Sequence, residues 1–194
     1  DVVARRGLTP LVDIAYQGLG RGFSEDAAGL HLLLDSCDEV VIAQSCDKNF
    51  GVYRDRVGSL FLKTKAAGQT KRAMDHVVQI AREMWSMPPD HGAAAVRIVL
   101  DTPELRADWD IEVGEMRDRI NRIRSQIAAA DPRLAYIGGQ FGMFSMLPVS
   151  KEQVVQLREQ HAIYMPDSGR FNVIGMADHA VDRFIAAVVG AMNG

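Results

Sequence analysis

The chain has 194 residues, 47% hydrophobic, 24% charged and 7% aromatic, a mixture that excludes collagenous, mucin-like and disordered classes and suits one large domain or two modest ones. Lys and Arg number 22 against 25 Asp and Glu, scattered without blocks of one sign, for a formal net charge of −3. Nucleic acid and anionic membranes are thereby set aside as partners. The longest mostly apolar run, Phe184 to Met192, is far below the ~20 residues that cross a bilayer, and residues 1 to 25 hold no signal-peptide pattern, so the cytoplasm is the expected compartment.

The only cysteines, Cys37 and Cys46, lack metal-ligand spacing and read as free thiols. Five dispersed histidines form no His-Glu-x-x-His pattern, and there is no Gly-x-Ser-x-Gly elbow. No metal site is expected, and zinc and serine hydrolases are set aside.

In chain order, strands are expected at Leu8–Ala15, at Glu39–Ser45 and at Val57–Leu62. The centre of the second, Val40-Val41-Ile42-Ala43, is continuously apolar, as in a strand covered on both faces. Between the first two, Ser24, Glu25 and Asp26 supply the chemistry of a helix N-terminus, for a helix running to Leu34. Strand, helix, strand is the crossover unit of an α/β sheet.

A helix over Gln69–Ser86 is expected to bury the face carrying Met74, Val77, Val78, Ala81, Met84 and Trp85, and to end at Pro88-Pro89; another covers Gly92–Leu100. Trp109, Val113, Met116, Ile120, Ile123 and Ile127 follow at alternating spacings of four and three. This predicts a long helix, roughly 35 Å at 1.5 Å per residue. Such a stripe suits a coiled coil or a helix across a domain core; its short run, ended by Asp131-Pro132, favours the core helix.

Ala135–Met146 reads as strand material broken by Gly138, Gly139 and Gly142. Ser150 and Gln153 form a capping box for a helix to about Gln160. Ala162–Met165 and Arg170–Ile174 resemble short strands around the turn Pro166–Gly169, and Ala177–Met192 is a last helix. The expected organisation is an α/β part, residues 1–104, followed by a long linking helix and a small α+β domain, residues 105–194.

The segment that carries chemistry runs from Ser45 to Gly58, directly after the apolar strand. The carboxyl ends of such strands are where α/β sheets bind ligands. Lys48 and Arg56, eight residues apart and beside Ser45, could hold a phosphate, with Lys48 as an amine nucleophile. The alternative from these residues alone is a solvated basic loop.

Ser45-x-x-Lys48-Asn49-Phe50-Gly51-x-Tyr53, followed by Arg56-Val57-Gly58, resembles the lysine segment of the class I, aspartate and aromatic amino-acid, aminotransferases. Other landmarks occur in order: Asp13-x-x-Tyr16-Gln17-Gly18; Arg82 ahead of Ser86-x-Pro88-Pro89-x-His91-Gly92-Ala93; Gly142-Met143-Phe144-Ser145; and Ser168-Gly169-Arg170-x-Asn172-Val173-x-Gly175. The resemblance spans essentially the whole chain and corresponds to the C-terminal half of family members. It implies the C-terminal part of a type I pyridoxal-phosphate-dependent transferase fold, a partial mixed sheet with helices, then a smaller α+β domain. Sheet edges and apolar faces are then expected to lie open.

By resemblance, Lys48 is the amine that forms the Schiff base with pyridoxal 5'-phosphate and shuttles the substrate's α-proton. Asp13 pairs with the pyridine nitrogen, Tyr16 bonds the phenolic oxygen, and Ser45 and Arg56 hold the phosphate. Arg170 grips the substrate α-carboxylate, and Phe144 lines the substrate cavity. Arg82 matches an arginine that reaches the neighbouring subunit's site, which implies a homodimer. The apolar neighbours Trp85 and Met87 lean towards aromatic substrates.

On position alone, Asp13 could cap a turn, Tyr16 and Phe144 could be packing residues, and Arg82 could be a surface charge. Lys48 and Arg170 stand out because their neighbours match over consecutive residues. The implied activity is ping-pong transfer of an amino group between an aromatic or dicarboxylic amino acid and a 2-oxo acid; the alternative is a catalytically silent fragment or interaction module. Asp47 departs from the family's usual serine. It would repel a cofactor phosphate if it faced one, or point away while Ser45 faces the phosphate.

Overall fold

The computed structural model describes residues 2–194, which divide into two compact units. One holds the residues up to Gly18 and Gly22–Val113; the other holds Leu19–Arg21 and Gly114–Gly194.

In the first unit a short helix, α1 (Val2–Arg5), leads to strand β1 (Leu11–Ile14). Helices α2 (Phe23–Asp26) and α3 (Ala28–Ser36) then carry the chain to β2 (Val40–Ser45). Strands β1 and β2 are parallel, with Asp13 beside Ala43, so the expected crossover unit forms. Strand β3 (Gly58–Lys63) returns antiparallel to β2, with Gly58 opposite Ser45, and completes a mixed sheet of order β1-β2-β3.

The single helix expected from Ser24 is two helices, and Ser24 lies inside the first. Asp26, expected to serve a helix N-terminus, instead accepts the Gly18 N–H at 2.9 Å. The second strand is also covered differently from expectation. Val40 and Ile42 are buried with Cys37 against Val12, Ile14, Leu30, Leu33 and Leu34, whereas Val41 and Ala43 on the opposite face are only half-buried. A continuous apolar run cannot distinguish one covered face from two. The open face continues onto β1 and β3, where Leu11 and Leu60 are exposed.

Helix α4 (Ala67–Trp85) forms as the periodicity predicts, but it does not bury the expected face: none of its residues is buried, and Met74, Val78, Met84 and Trp85 are exposed. Periodicity fixes which residues share a face, not whether a neighbour covers it. Helix α5 (His91–Asp101) follows. Helix α6 (Pro103–Ala130) has 28 residues, about 42 Å at 1.5 Å per residue, longer at both ends than its apolar stripe. The boundary between the units falls within it, after Val113.

In the second unit Ile120, Ile123 and Ile127 of α6 are fully buried, as the core-helix reading requires. Residues 135–139, expected as strand, belong to a 3-10 helix, Pro132–Gly139. Asp131 caps it by accepting the Arg133 N–H at 2.8 Å, and Leu134 and Ile137, three residues apart, are buried. Strand β4 is confined to Phe144–Met146 and pairs antiparallel with β5 (Arg170–Asn172).

The Ser150–Gln153 capping box opens α7 (Lys151–His161) as expected. Ala162–Met165 is not a strand, because the Ala162 and Ile163 N–H groups are used to close α7 on the Arg158 and Leu157 carbonyls. Residues 173–175, expected to extend the next strand, form a 3-10 turn in which the Asn172 side chain accepts the Ile174 N–H. A further 3-10 turn, Asp178–Ala180, precedes α8 (Val181–Asn193).

Arg124, on α6, is buried, and burial lowers its pKa. Its guanidinium donates to the Gly142 and Phe144 carbonyls at 2.7 and 2.8 Å. Arg124→Leu should cost about 3 kcal/mol in urea unfolding by orphaning those acceptors, whereas Ile120→Val should cost about 1 kcal/mol.

Candidate active site

Strands β1 and β2 run parallel and β3 antiparallel, so the C-terminal ends of the first two meet the N-terminal end of the third. There Asp13, Ser45 and Arg56 line one cleft of about 220 Å³, together with Asp47 and Gly58. Asp13 shares the open face of the sheet with its partner Ala43 and is itself exposed. A Cβ on Gly58 would come 2.5 Å from the Gln44 carbonyl oxygen, so only glycine lets β3 begin this close to β2.

Beyond β2, Lys48 is half-buried, with its Nζ 5.2 Å from the centre of the Tyr16 ring. The loop carrying Lys48 is pinned on both sides. The Cys46 N–H donates to the Val57 carbonyl at 2.9 Å, and Asn49 Nδ2 donates to the Gln17 carbonyl at 3.3 Å. Trp109 donates its indole N–H to the Asn49 carbonyl at 2.7 Å and stacks on Phe50 at 4.4 Å. From sequence Trp109 is only the first member of a helical stripe; its signal as a site residue is the polar edge of an indole, which needs a partner when covered. Gly92 is buried, and a Cβ there would meet Asp55 Cβ at 2.7 Å, so α5 starts directly against the same loop.

Asp47 neither faces away from the loop nor stands alone. Its carboxylate pairs with Arg56 and accepts the Val57 N–H at 3.2 Å, while its own N–H donates to Ser45 Oγ at 3.1 Å. Burial, then the Asp47 charge, pushes the Cys46 thiol up from its ordinary value. Burial, then Tyr16 and Asp47, does the same to the Tyr53 phenol.

In the second unit, the β4–β5 register puts Phe144 opposite Asn172 and Met146 opposite Arg170. Phe144 and Arg170 are therefore diagonal neighbours on one face, and the exposed guanidinium lies 4.1 Å from the ring centre. Arg82 stands exposed in the last turn of α4 and does not line the cleft around Asp13.

A family model described as aminotransferase class I and II matches residues 1–188, and the chain belongs to that family. It is 48% identical over 179 residues to a tyrosine aminotransferase of Rhizobium meliloti, an alignment covering 90% of this chain and 46% of that protein. It is 38% identical over 195 residues to an aspartate aminotransferase of Pseudomonas aeruginosa, covering 97% and 49% respectively. Among solved structures, an aromatic-amino-acid aminotransferase from Burkholderia pseudomallei covalently bound to pyridoxal phosphate matches with a TM-score of 0.93 at 36% identity, over 98% of this chain and 49% of that one. The chain thus spans about half the length of the curated relatives it matches, and its fold is that of the pyridoxal-phosphate aminotransferases.

A thiol with a raised pKa holds less thiolate at mildly alkaline pH and alkylates more slowly. The midpoint of the Cys46 pH–rate profile with iodoacetamide should therefore lie above the ordinary thiol value, and Asp47→Asn should move it down; mass spectrometry separates Cys46 from buried Cys37.

Proposed function

We propose that the chain serves a pyridoxal-phosphate-dependent aminotransferase, which moves an amino group between an aromatic or dicarboxylic amino acid and a 2-oxo acid. The reading rests most directly on the convergence of Asp13, Ser45 and Arg56 on one cleft at the end of the sheet. A carboxylate, a hydroxyl and a guanidinium there, with a phenol and a primary amine on the adjoining loops, fit a phosphorylated pyridine aldehyde in chemistry. Pyridoxal phosphate supplies, when bound, an aldehyde for an amine and a ring that accepts an electron pair.

In this reading Asp13 partners the pyridine nitrogen, Tyr16 donates to the phenolic oxygen, and Ser45 and Arg56 take the phosphate. Lys48 is the attaching amine and then the base that moves the substrate's α-proton. Arg170 takes the α-carboxylate in a fork that stands over the Phe144 ring, which also walls the substrate.

Arg82 sits on an exposed helix beside exposed Trp85 and Met87. Those surroundings support a homodimer in which Arg82 serves the neighbouring site, and they favour an aromatic over a dicarboxylic side chain. Residues 1–104 would form the C-terminal part of the large cofactor-binding domain, and 105–194 the linking helix and small domain. No helix among the described residues is long and apolar enough to cross a membrane; two free thiols suit a reducing compartment such as the cytoplasm.

Borohydride reduction in the presence of pyridoxal phosphate should label Lys48, and Lys48→Ala should abolish that label. It should also slow half-transamination of phenylalanine and of aspartate by about a thousandfold. Labelling scattered over surface lysines, or absent, would instead identify a silent module.

A further inference from the structure

Asp47 is 2% exposed, yet it lines the same cleft as Ser45 and Arg56. Its two oxygens are committed to different partners: Oδ2 takes Arg56 Nη1, and Oδ1 takes the Val57 N–H at 3.2 Å. The same Arg56 nitrogen also donates to the Tyr53 carbonyl at 3.0 Å. Arg56 itself sits at φ 55° and keeps 73% of its side chain exposed, so one edge of the guanidinium is held by the protein while the remainder faces out. Ser45 Oγ is drawn into the same arrangement by accepting the Asp47 N–H.

A guanidinium paired to a carboxylate keeps its charge, but the neighbouring anion offsets much of the field with which it attracts a second anion. A phosphate at Arg56 would also stand close to a buried negative charge that water screens only weakly.

We propose that Asp47 is an internal rival for the phosphate-binding arginine and sets the affinity of this cleft for a phosphorylated ligand. The proposal rests on the cofactor reading above, since that reading makes Arg56 the phosphate partner. It assigns Asp47 a role of its own: the carboxylate holds Arg56 in place and at the same time weakens its grip on the ligand. Repulsion outweighs positioning, because the Arg56 bond to the Tyr53 carbonyl and the Cys46 N–H bond to the Val57 carbonyl hold the loop without the Asp47 side chain.

Asp47→Asn removes the negative charge while its amide oxygen can still accept the Val57 N–H, its NH2 then standing where Oδ2 accepted from Arg56; Asp47→Ser is the second variant, in case the amide perturbs folding or displaces Arg56. Equilibrium dialysis with inorganic phosphate should show both variants binding about tenfold more tightly than the native chain, and Arg56→Ala added to either should remove the gain. In parallel, the dependence of borohydride-trapped Lys48 adduct on ligand concentration should shift to lower pyridoxal phosphate in the variants and stay within about twofold for pyridoxal, which has no phosphate.

Unchanged or weaker phosphate binding in both variants overturns the proposal and makes Asp47 a clamp for Arg56. An adduct at Lys48 without the phosphate gain sinks the proposal and leaves the aminotransferase reading intact. A phosphate gain without the adduct does the reverse.

Discussion

The parallel pairing of β1 with β2, and the antiparallel return of β3, is the constraint on which the candidate site depends. Because the crossover through α2 and α3 brings both strands up in the same direction, Asp13 and Ser45 reach the same end of the sheet although 32 positions separate them. The return of β3 from that end adds Arg56 without a further element. A register slip of one residue would turn Asp13 to the face packed on α3 and remove it from the cleft. Val12 and Ile14, locked against Val40 and Ile42, resist that slip, so the apolar face of the sheet fixes the placement of the polar one.

A loop following a strand is held only at its ends unless something else contacts it. Here Trp109 stacks on Phe50 and bonds the Asn49 carbonyl, so the two residues after Lys48 are fixed from α6. Phe23 also packs against the indole, tilted, with ring centres 4.9 Å apart. In the second unit Arg124 does comparable work for β4, tying the strand that carries Phe144 to α6 through two carbonyls. A buried arginine is costly to desolvate, and that cost is offset when backbone acceptors surround it.

Elements whose signal is local were legible. The α6 stripe, the Ser150–Gln153 box and the strand before Ser45 appear where the spacing puts them. What failed needed knowledge of neighbours. The apolar run at Val40–Ala43 could not reveal that one face would stay open, nor could the α4 stripe reveal that none of its residues would be fully buried. At Ala162–Met165, apolar residues suggested a strand, but capping of α7 claimed the backbone donors first. In the site, Asp13, Ser45 and Arg56 of the motif residues line one cleft, while the Asp47–Arg56 pair was invisible, because alternation along a loop cannot say which side chain turns inward.

Lys48, Arg56 and Arg170, three of the cations in the proposed reaction, are not interchangeable, and their settings explain why. Lys48 must exist as a neutral nucleophile during part of the cycle, which an ammonium can do by losing a proton and a guanidinium cannot. Arg56 and Arg170 face the opposite demand of permanent charge and a planar fork. They are set differently even so. Arg170 rests on the face of Phe144, which steadies the guanidinium plane and adds no negative charge to compete with a carboxylate. Arg56 is steadied by an anion, so the contact that orients it also opposes its ligand. On the proposed roles, orientation by a ring leaves an arginine's field unopposed, whereas orientation by a carboxylate sets an anion beside the ligand it is proposed to hold.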